Sequence, residues 1–169
     1  MESQKKESFT TLLSSLSSDP LARGKQFERL TKWWLNQDPI WSRKIKNVWL
    51  WDEWPDYPGR DIGIDLVDEM TDGTLYAVQA KCFDENRDIP KSELNSFIST
   101  ASHHAFEHRL LVATTDGLSA NAKRMLTDQH VIRVMRSDLE SSFLKPDFKL
   151  LDLSVRLPYW THLVAIFIT

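Results

Sequence analysis

The chain has 169 residues, with 21 Lys and Arg against 24 Asp and Glu for a net charge of −3, and is 41% hydrophobic and 27% charged. This is one domain's worth of chain with enough apolar content for a full core. It excludes disorder and a globally basic nucleic-acid coat, yet leaves room for a local basic cleft around an acidic site. The single cysteine, Cys82, excludes an internal disulfide framework and a paired-cysteine zinc site, and fits a reducing cytoplasm. The longest apolar stretch, residues 163–168, is far short of a membrane span, and no basic-then-apolar leader opens the chain.

Residues 1–18 read as an N-terminal helical extension, because Phe9, Leu12, Leu13 and Leu16 recur at helical spacing. Asp19-Pro20 starts a second helix, with Asp as cap and Pro in the first turn. That helix runs to about Asn36 with Phe27, Leu30, Trp34 and Gln37 on one stripe, and Asp38-Pro39 ends it. Residues 47–54 alternate Val48 and Leu50 against Trp49 and Trp51, as in a strand. Residues 55–59 carry turn chemistry. Residues 61–68 and 75–83 predict two strands joined by Thr71-Asp72-Gly73-Thr74, a hairpin. A helix over 92–103, a strand over 109–115, a helix over 119–128, a strand over 131–135 and a helix over 137–144 follow. This alternation predicts an α/β sandwich on a mixed sheet. Residues 151–169 form a C-terminal apolar segment that either pairs with the sheet, leads into a longer protein, or marks a truncated one.

Chemistry concentrates on the hairpin. Asp65 stands among Ile64, Leu66 and Val67 on one arm, and Gln79-Ala80-Lys81 on the other. Gln79 and Lys81 share a strand face, and a cross-strand neighbour comes within a few ångströms of them. A bare carboxylate in so apolar a strand is costly unless paired. One reading is an Asp65–Lys81 ion pair at a strand end. The other is a phosphodiester hydrolase: Asp65, the Gln79 amide oxygen and the Ala80 carbonyl hold a hard divalent cation, while Lys81 holds the attacking water and offsets transition-state charge.

These residues resemble the Mrr-like restriction endonuclease domain of the PD-(D/E)xK nuclease superfamily. The resemblance rests on Gly24-x-x-Phe27-Glu28-x-Leu30, Asp61-x-Gly63-Ile64-Asp65-Leu66 and Tyr76-Ala77-Val78-Gln79-Ala80-Lys81, in that order. It continues through Leu111-Val112-Ala113-Thr114-Thr115, Leu118-Ser119-x-x-Ala122 and Val131-Ile132-Arg133-Val134, covering about residues 20–144. The wording of residues 59–67 is most similar to the N-terminal nuclease domain of Type ISP restriction-modification enzymes, in which helicase and methyltransferase modules follow. The resemblance implies a three-layer α/β/α restriction-endonuclease-like fold with a central mixed sheet of four or five strands, occupying residues 19–150. It implies Asp65 as metal-binding aspartate and Gln79 in the usual glutamate position. Lys81 is then the catalytic lysine, and Glu28 a helix carboxylate near the metal. Mg²⁺ is the implied cofactor, with Mn²⁺ able to substitute. Double-stranded DNA is the implied substrate, and a second copy is needed for double-strand cleavage. A junction resolvase on the same scaffold and an inactive DNA-binding or docking module are the rival readings.

Other residues weigh less. Glu28, on sequence pattern alone, is a solvated helix position. Asp61 reads as a turn cap, with a second ion or a water as the alternative. His104 and His108 have the spacing of a helical metal pair but no third ligand. Thr114-Thr115-Asp116-Gly117 reads as a strand-to-helix turn, with phosphate contact as the rival. Trp33, Trp34, Trp41, Trp49, Trp51 and Trp54 read as packing residues rather than base-stacking ones. Arg43, Lys44 and Lys46, with Arg60 and Lys91, are the candidates for contact with backbone phosphates.

Overall fold

A computed structural model describes residues 9–102 and 105–145. The C-terminal apolar segment and His104 lie outside the described residues. Helix α1 covers residues 9–14, and its apolar positions Phe9, Leu12 and Leu13, with Leu16 just beyond, are all buried. Residues 9–16 are therefore part of the core: Phe9 packs on Phe143 near the chain's other described end, at 5.0 Å between ring centroids. Helix α2 (Pro20–Gln37) starts where Asp19 accepts the Ala22 amide at 2.8 Å and buries Phe27, Leu30, Trp33 and Trp34. After the short α3 (Trp41–Lys44), strand β1 (Ile45–Leu50) begins two residues earlier than the alternation suggests and ends at Leu50. Trp51–Glu53 form a 3-10 turn instead of continuing it, and Trp51 is buried there.

Strand β2 (Leu66–Met70) is also shorter than expected. Residues 61–65 form a loop, because Gly63 takes a φ of +85° that breaks the strand, and Asp61 accepts the Gly63 amide at 2.8 Å in an Asx turn. A Cβ on Gly63 would lie 3.0 Å from the Ser96 Cβ, so this loop is also pressed against the neighbouring helix. Strand β3 (Leu75–Lys81) ends at Lys81. A 3-10 turn (Lys91–Glu93) and α4 (Asn95–Ala101) lead to β4 (His108–Ala113). Then come α5 (Ala120–Asp128), β5 (Ile132–Val134) and α6 (Arg136–Leu144).

The five strands lie in the order β1-β2-β3-β4-β5, antiparallel through β3 and parallel beyond it. Crossovers through α4 and α5 create the parallel half. Two cores result, one on each sheet face. The first gathers α1, α2 and α6 residues over Leu66, Val78 and Val112. The second gathers Phe97, Ala101, Ala122 and Leu126 over Val67, Ala77 and Leu111. This is the expected three-layer α/β/α arrangement, with five strands. Every tryptophan of the group packs against one core or the other, and Trp51 stacks on Trp54 at 5.5 Å.

Two buried carboxylates behave oppositely. Asp68, on β2, is fully buried with neither carboxyl oxygen hydrogen-bonded, and burial pushes its carboxyl well above the usual range, favouring the neutral acid. Asp38 is equally buried, but its Oδ1 accepts the Ile40 and Trp41 amides at 2.9 and 3.1 Å, and its Oδ2 accepts Ser142 Oγ and Lys145 Nζ. Ser142 in turn accepts Trp34 Nε1 at 2.9 Å, so one carboxylate clasps α2, α3 and α6. Burial pushes the Asp38 carboxyl up, but Ser142, Lys145 and the two amides outweigh it and hold the group below its ordinary value. Asp38→Ala strands these donors, and the expected loss is about 3–5 kcal/mol by urea denaturation at neutral pH. Because the folded-state value is depressed, the wild-type advantage exists above the unfolded value and fades as pH falls through the folded one. The gap between the two proteins therefore narrows in acid.

Candidate active site

Asp65 sits immediately before β2, and its backbone is fixed on both sides. Its amide donates to Val78 O at 3.0 Å, and its carbonyl accepts the Trp51 amide at 2.8 Å. Since Leu66 pairs with Val78, Asp65 stands opposite Gln79. The carboxylate Oδ2 accepts the Ala80 amide at 2.8 Å and Gln79 Nε2. Gln79 is only 6% exposed. Lys81 leaves the same strand face two residues on. Its carbonyl is held by the Thr114 amide at 3.1 Å, and its Nζ lies 3.3 Å from Glu93 Oε2. The ion pair of Lys81 is thus with Glu93, and the Asp65–Lys81 pair of the simpler sequence reading is not formed.

The strand end itself is stapled. Thr114 Oγ1 donates to Phe83 O at 2.6 Å and accepts the Phe83 amide at 2.8 Å, and Thr115 Oγ1 donates to Glu85 O. The threonine turn after β4 thereby fixes the chain leaving Lys81, the structural role its turn chemistry suggested.

Asp65 opens into a cleft of about 240 Å³ that also holds Glu28, Asp52, Asp61, Lys25 and Arg29, walled by Trp51 and Tyr57. Glu28 reaches it from α2, paired with Lys25 at 3.0 Å and with only 14% of its side chain exposed. It is therefore not the solvated helix position that pattern alone suggests. Burial pushes the Asp65 carboxyl up to about 6. Glu28 adds to the rise, while the Ala80 and Gln79 hydrogen bonds and the charge of Lys81 oppose it. Glu28 is raised too, first by burial, then by Asp61 and Asp52 against the pull of Lys25. Crowded acids that resist ionisation are what a hard cation relieves. Among the described residues, no three His, Cys, Asp or Glu side chains gather closely enough to hold a metal by themselves. An ion at Asp65 would complete its shell from neutral oxygens, the Gln79 amide or the Ala80 carbonyl, and from water. Magnesium accepts such a set.

The basic candidates divide. Arg60 adjoins Asp61 at the cleft, its carbonyl accepting Trp51 Nε1, and Lys91 precedes Glu93 in the 3-10 turn beside Lys81. Arg43, Lys44 and Lys46 sit at the other end of β1, beside Met70 and Thr71, about 15 Å along the strand from Asp65. Lys46 is paired there with Glu69 at 3.2 Å. The structure does not bring these three to the site. Cys82 is half-buried against the first core, and the His108 ring packs at a tilt on Tyr76, 4.7 Å between centroids. Glu93, Lys25 and Asp52 carry no sequence signal, since each reaches the site only through packing of distant elements.

A three-layer α/β/α domain that gathers an acid, an amide and an ammonium at one edge of its sheet is the arrangement that the resemblance to restriction nucleases implies. A family model of the Mrr catalytic type, described as restriction endonuclease, matches residues 36–152, well over half of the chain. The chain belongs to this restriction endonuclease family. The match begins after Glu28. Among solved structures, the ATP-dependent Type ISP restriction-modification enzyme LlaBIII bound to DNA is 31% identical and superposes with a TM-score of 0.60. It covers 71% of this chain, which spans 8% of that enzyme. The DNA modification-dependent restriction endonuclease AspBHI is 17% identical, with 83% of this chain and 35% of that one covered and a TM-score of 0.49. The MspJI restriction endonuclease in complex with a 27-mer oligonucleotide is 16% identical, with 70% and 27% covered and a TM-score of 0.49. No curated protein matches. No helix among the described residues is long and apolar enough to cross a membrane.

Proposed function

We propose that this domain is a Mg²⁺-dependent endonuclease that cleaves phosphodiester bonds of double-stranded DNA. It would serve as the nuclease module, residues 19–150, of a restriction enzyme acting in the cytoplasm. The observation that carries the reading is Asp65 set opposite Gln79, with the Ala80 amide on its carboxylate and Lys81 on the same face, at the edge of an acidic cleft. Membership of a restriction endonuclease family supports it.

Asp65 and Glu28 would hold the ion, with Gln79 offering Oε1 once its amide turns and the Ala80 carbonyl beside it. The ion, when bound, lowers the pKa of a coordinated water and draws charge off the phosphate. Lys81 would orient the attacking water and offset the charge that builds on the scissile phosphate. Gln79, being neutral, leaves affinity to the carboxylates. Arg60 and Lys91 would meet backbone phosphates without reading bases, so little sequence preference is expected. The LlaBIII likeness, in which this chain corresponds to a small fraction of a longer enzyme, supports a longer parent chain; helicase and methyltransferase modules in that parent, and two copies acting for double-strand cleavage, complete the proposal.

The test is relaxation of supercoiled plasmid. Nicking should appear with Mg²⁺ or Mn²⁺ and vanish with EDTA. Inert plasmid in both ions, or cleavage confined to four-way junctions, would overturn the reading.

A further inference from the structure

The ion pair between Lys81 and Glu93 carries a further inference, which rests on the metal-site reading above. Lys81 lies diagonally across the β2–β3 pair from Asp65 on the same face, a separation of roughly 7–8 Å between main chains that a lysine stem spans easily. An ammonium that close to a poorly solvated carboxylate is strongly drawn to it. Yet Asp65 Oδ2 takes its hydrogen bonds from Gln79 and Ala80, and the charge of Lys81 weighs less on the Asp65 carboxyl than either of those bonds. Its ammonium is held instead at 3.3 Å from Glu93.

Both ends of that pair stand on fixed backbone. Glu93 closes a 3-10 turn with its amide on Pro90 O at 3.1 Å, and the next residue, Leu94, is fully buried. Lys81 ends β3 in register with Ala113. With Glu93 41% exposed, a pair of this kind adds little to stability, so its consequence lies in where it leaves the ammonium.

We propose that Glu93 is a positioning residue that keeps the Lys81 ammonium off Asp65, so that the carboxylate stays open to a divalent cation. Without it, Lys81 closes on Asp65 and competes with the ion. Lys81 does this only when Glu93 is absent, so the two positions are coupled rather than independent.

The test is Mn²⁺ binding to the full chain, followed by the EPR signal of free Mn²⁺, for wild type, Glu93→Gln, Lys81→Met and the double variant. Glu93→Gln should weaken Mn²⁺ binding by about 5–10-fold, Lys81→Met alone should leave it within about twofold, and the double variant should return to the wild-type value. A merely structural pair would leave all four affinities alike, and that result overturns the proposal. Simple attraction through space predicts additivity, with Lys81→Met alone tightening binding as much as Glu93→Gln weakens it, and that result overturns it too. A wild-type chain that binds no Mn²⁺ defeats the metal-site reading itself. A wild-type chain that binds it with no coupling defeats only the role of Glu93.

Discussion

Asp65→Asn should lower plasmid nicking by at least about 10³-fold while making the ion-free protein more stable at neutral pH. The first effect follows from its place: it is a carboxylate lining the acidic cleft, held by backbone bonds to both β3 and the turn after β1. Asparagine keeps the shape and the acceptor for the Ala80 amide but removes the charge that a cation needs. Loss of metal-assisted catalysis on this scale corresponds to about 4 kcal/mol of barrier.

The second effect follows from the carboxyl's value of about 6 against an ordinary 3.8. The folded state binds the Asp65 proton more tightly than the unfolded state does, so stability falls as pH rises from about 4 to about 6 and is level above that. The cost at pH 7 and beyond is on the order of 1–3 kcal/mol, allowing for the partial exposure of the site. Asp65→Asn removes the cost and the slope. Urea denaturation at pH 4.5 and pH 7.5 reads both. A variant that is inactive and also less stable at pH 7.5 would point to a structural role for this carboxylate.

Lys81→Met should cost about 10²–10³-fold in nicking rate, with DNA affinity and Mn²⁺ affinity close to wild type. Methionine preserves the apolar stem that lies along the end of β3 and removes only the ammonium. One electrostatic stabiliser of transition-state charge is worth that much in a preorganised site. The two variants separate the roles: Asp65→Asn loses the ion, and Lys81→Met keeps it and loses rate.

Much of this site is legible in the sequence because its parts are local. Period-two alternation puts Gln79 and Lys81 on one face, and the Thr71–Thr74 turn makes β2 and β3 neighbours, so Asp65 has to meet them. Asp19-Pro20 and Ser119 mark helix starts that the structure reproduces, with each side chain accepting the amide three residues on. What sequence periodicity misreads are the strand ends. Residues 61–65 alternate like a strand, but Gly63 turns with positive φ, and the aromatic run at 51–54 follows its strand pattern only until a 3-10 turn buries Trp51. Both departures shape the cleft, since the loop carries Asp61 and the turn carries Asp52. Glu93 is invisible because nothing near it in the chain announces a lysine twelve residues upstream. Only the packing of the 3-10 turn beside β3 joins them. The basic residues divide for a related reason: composition groups Arg43, Lys44 and Lys46, while the antiparallel register carries them to the end of the sheet away from Asp65.

The most direct measurement is single-turnover nicking of supercoiled plasmid by the wild-type chain and by Lys81→Met, both in Mg²⁺ and both shown to be folded by circular dichroism. Wild-type cleavage with the methionine variant slower by two orders of magnitude or more is the predicted outcome. Equal rates from the two proteins would contradict the assignment of phosphodiester cleavage to the β2–β3 face.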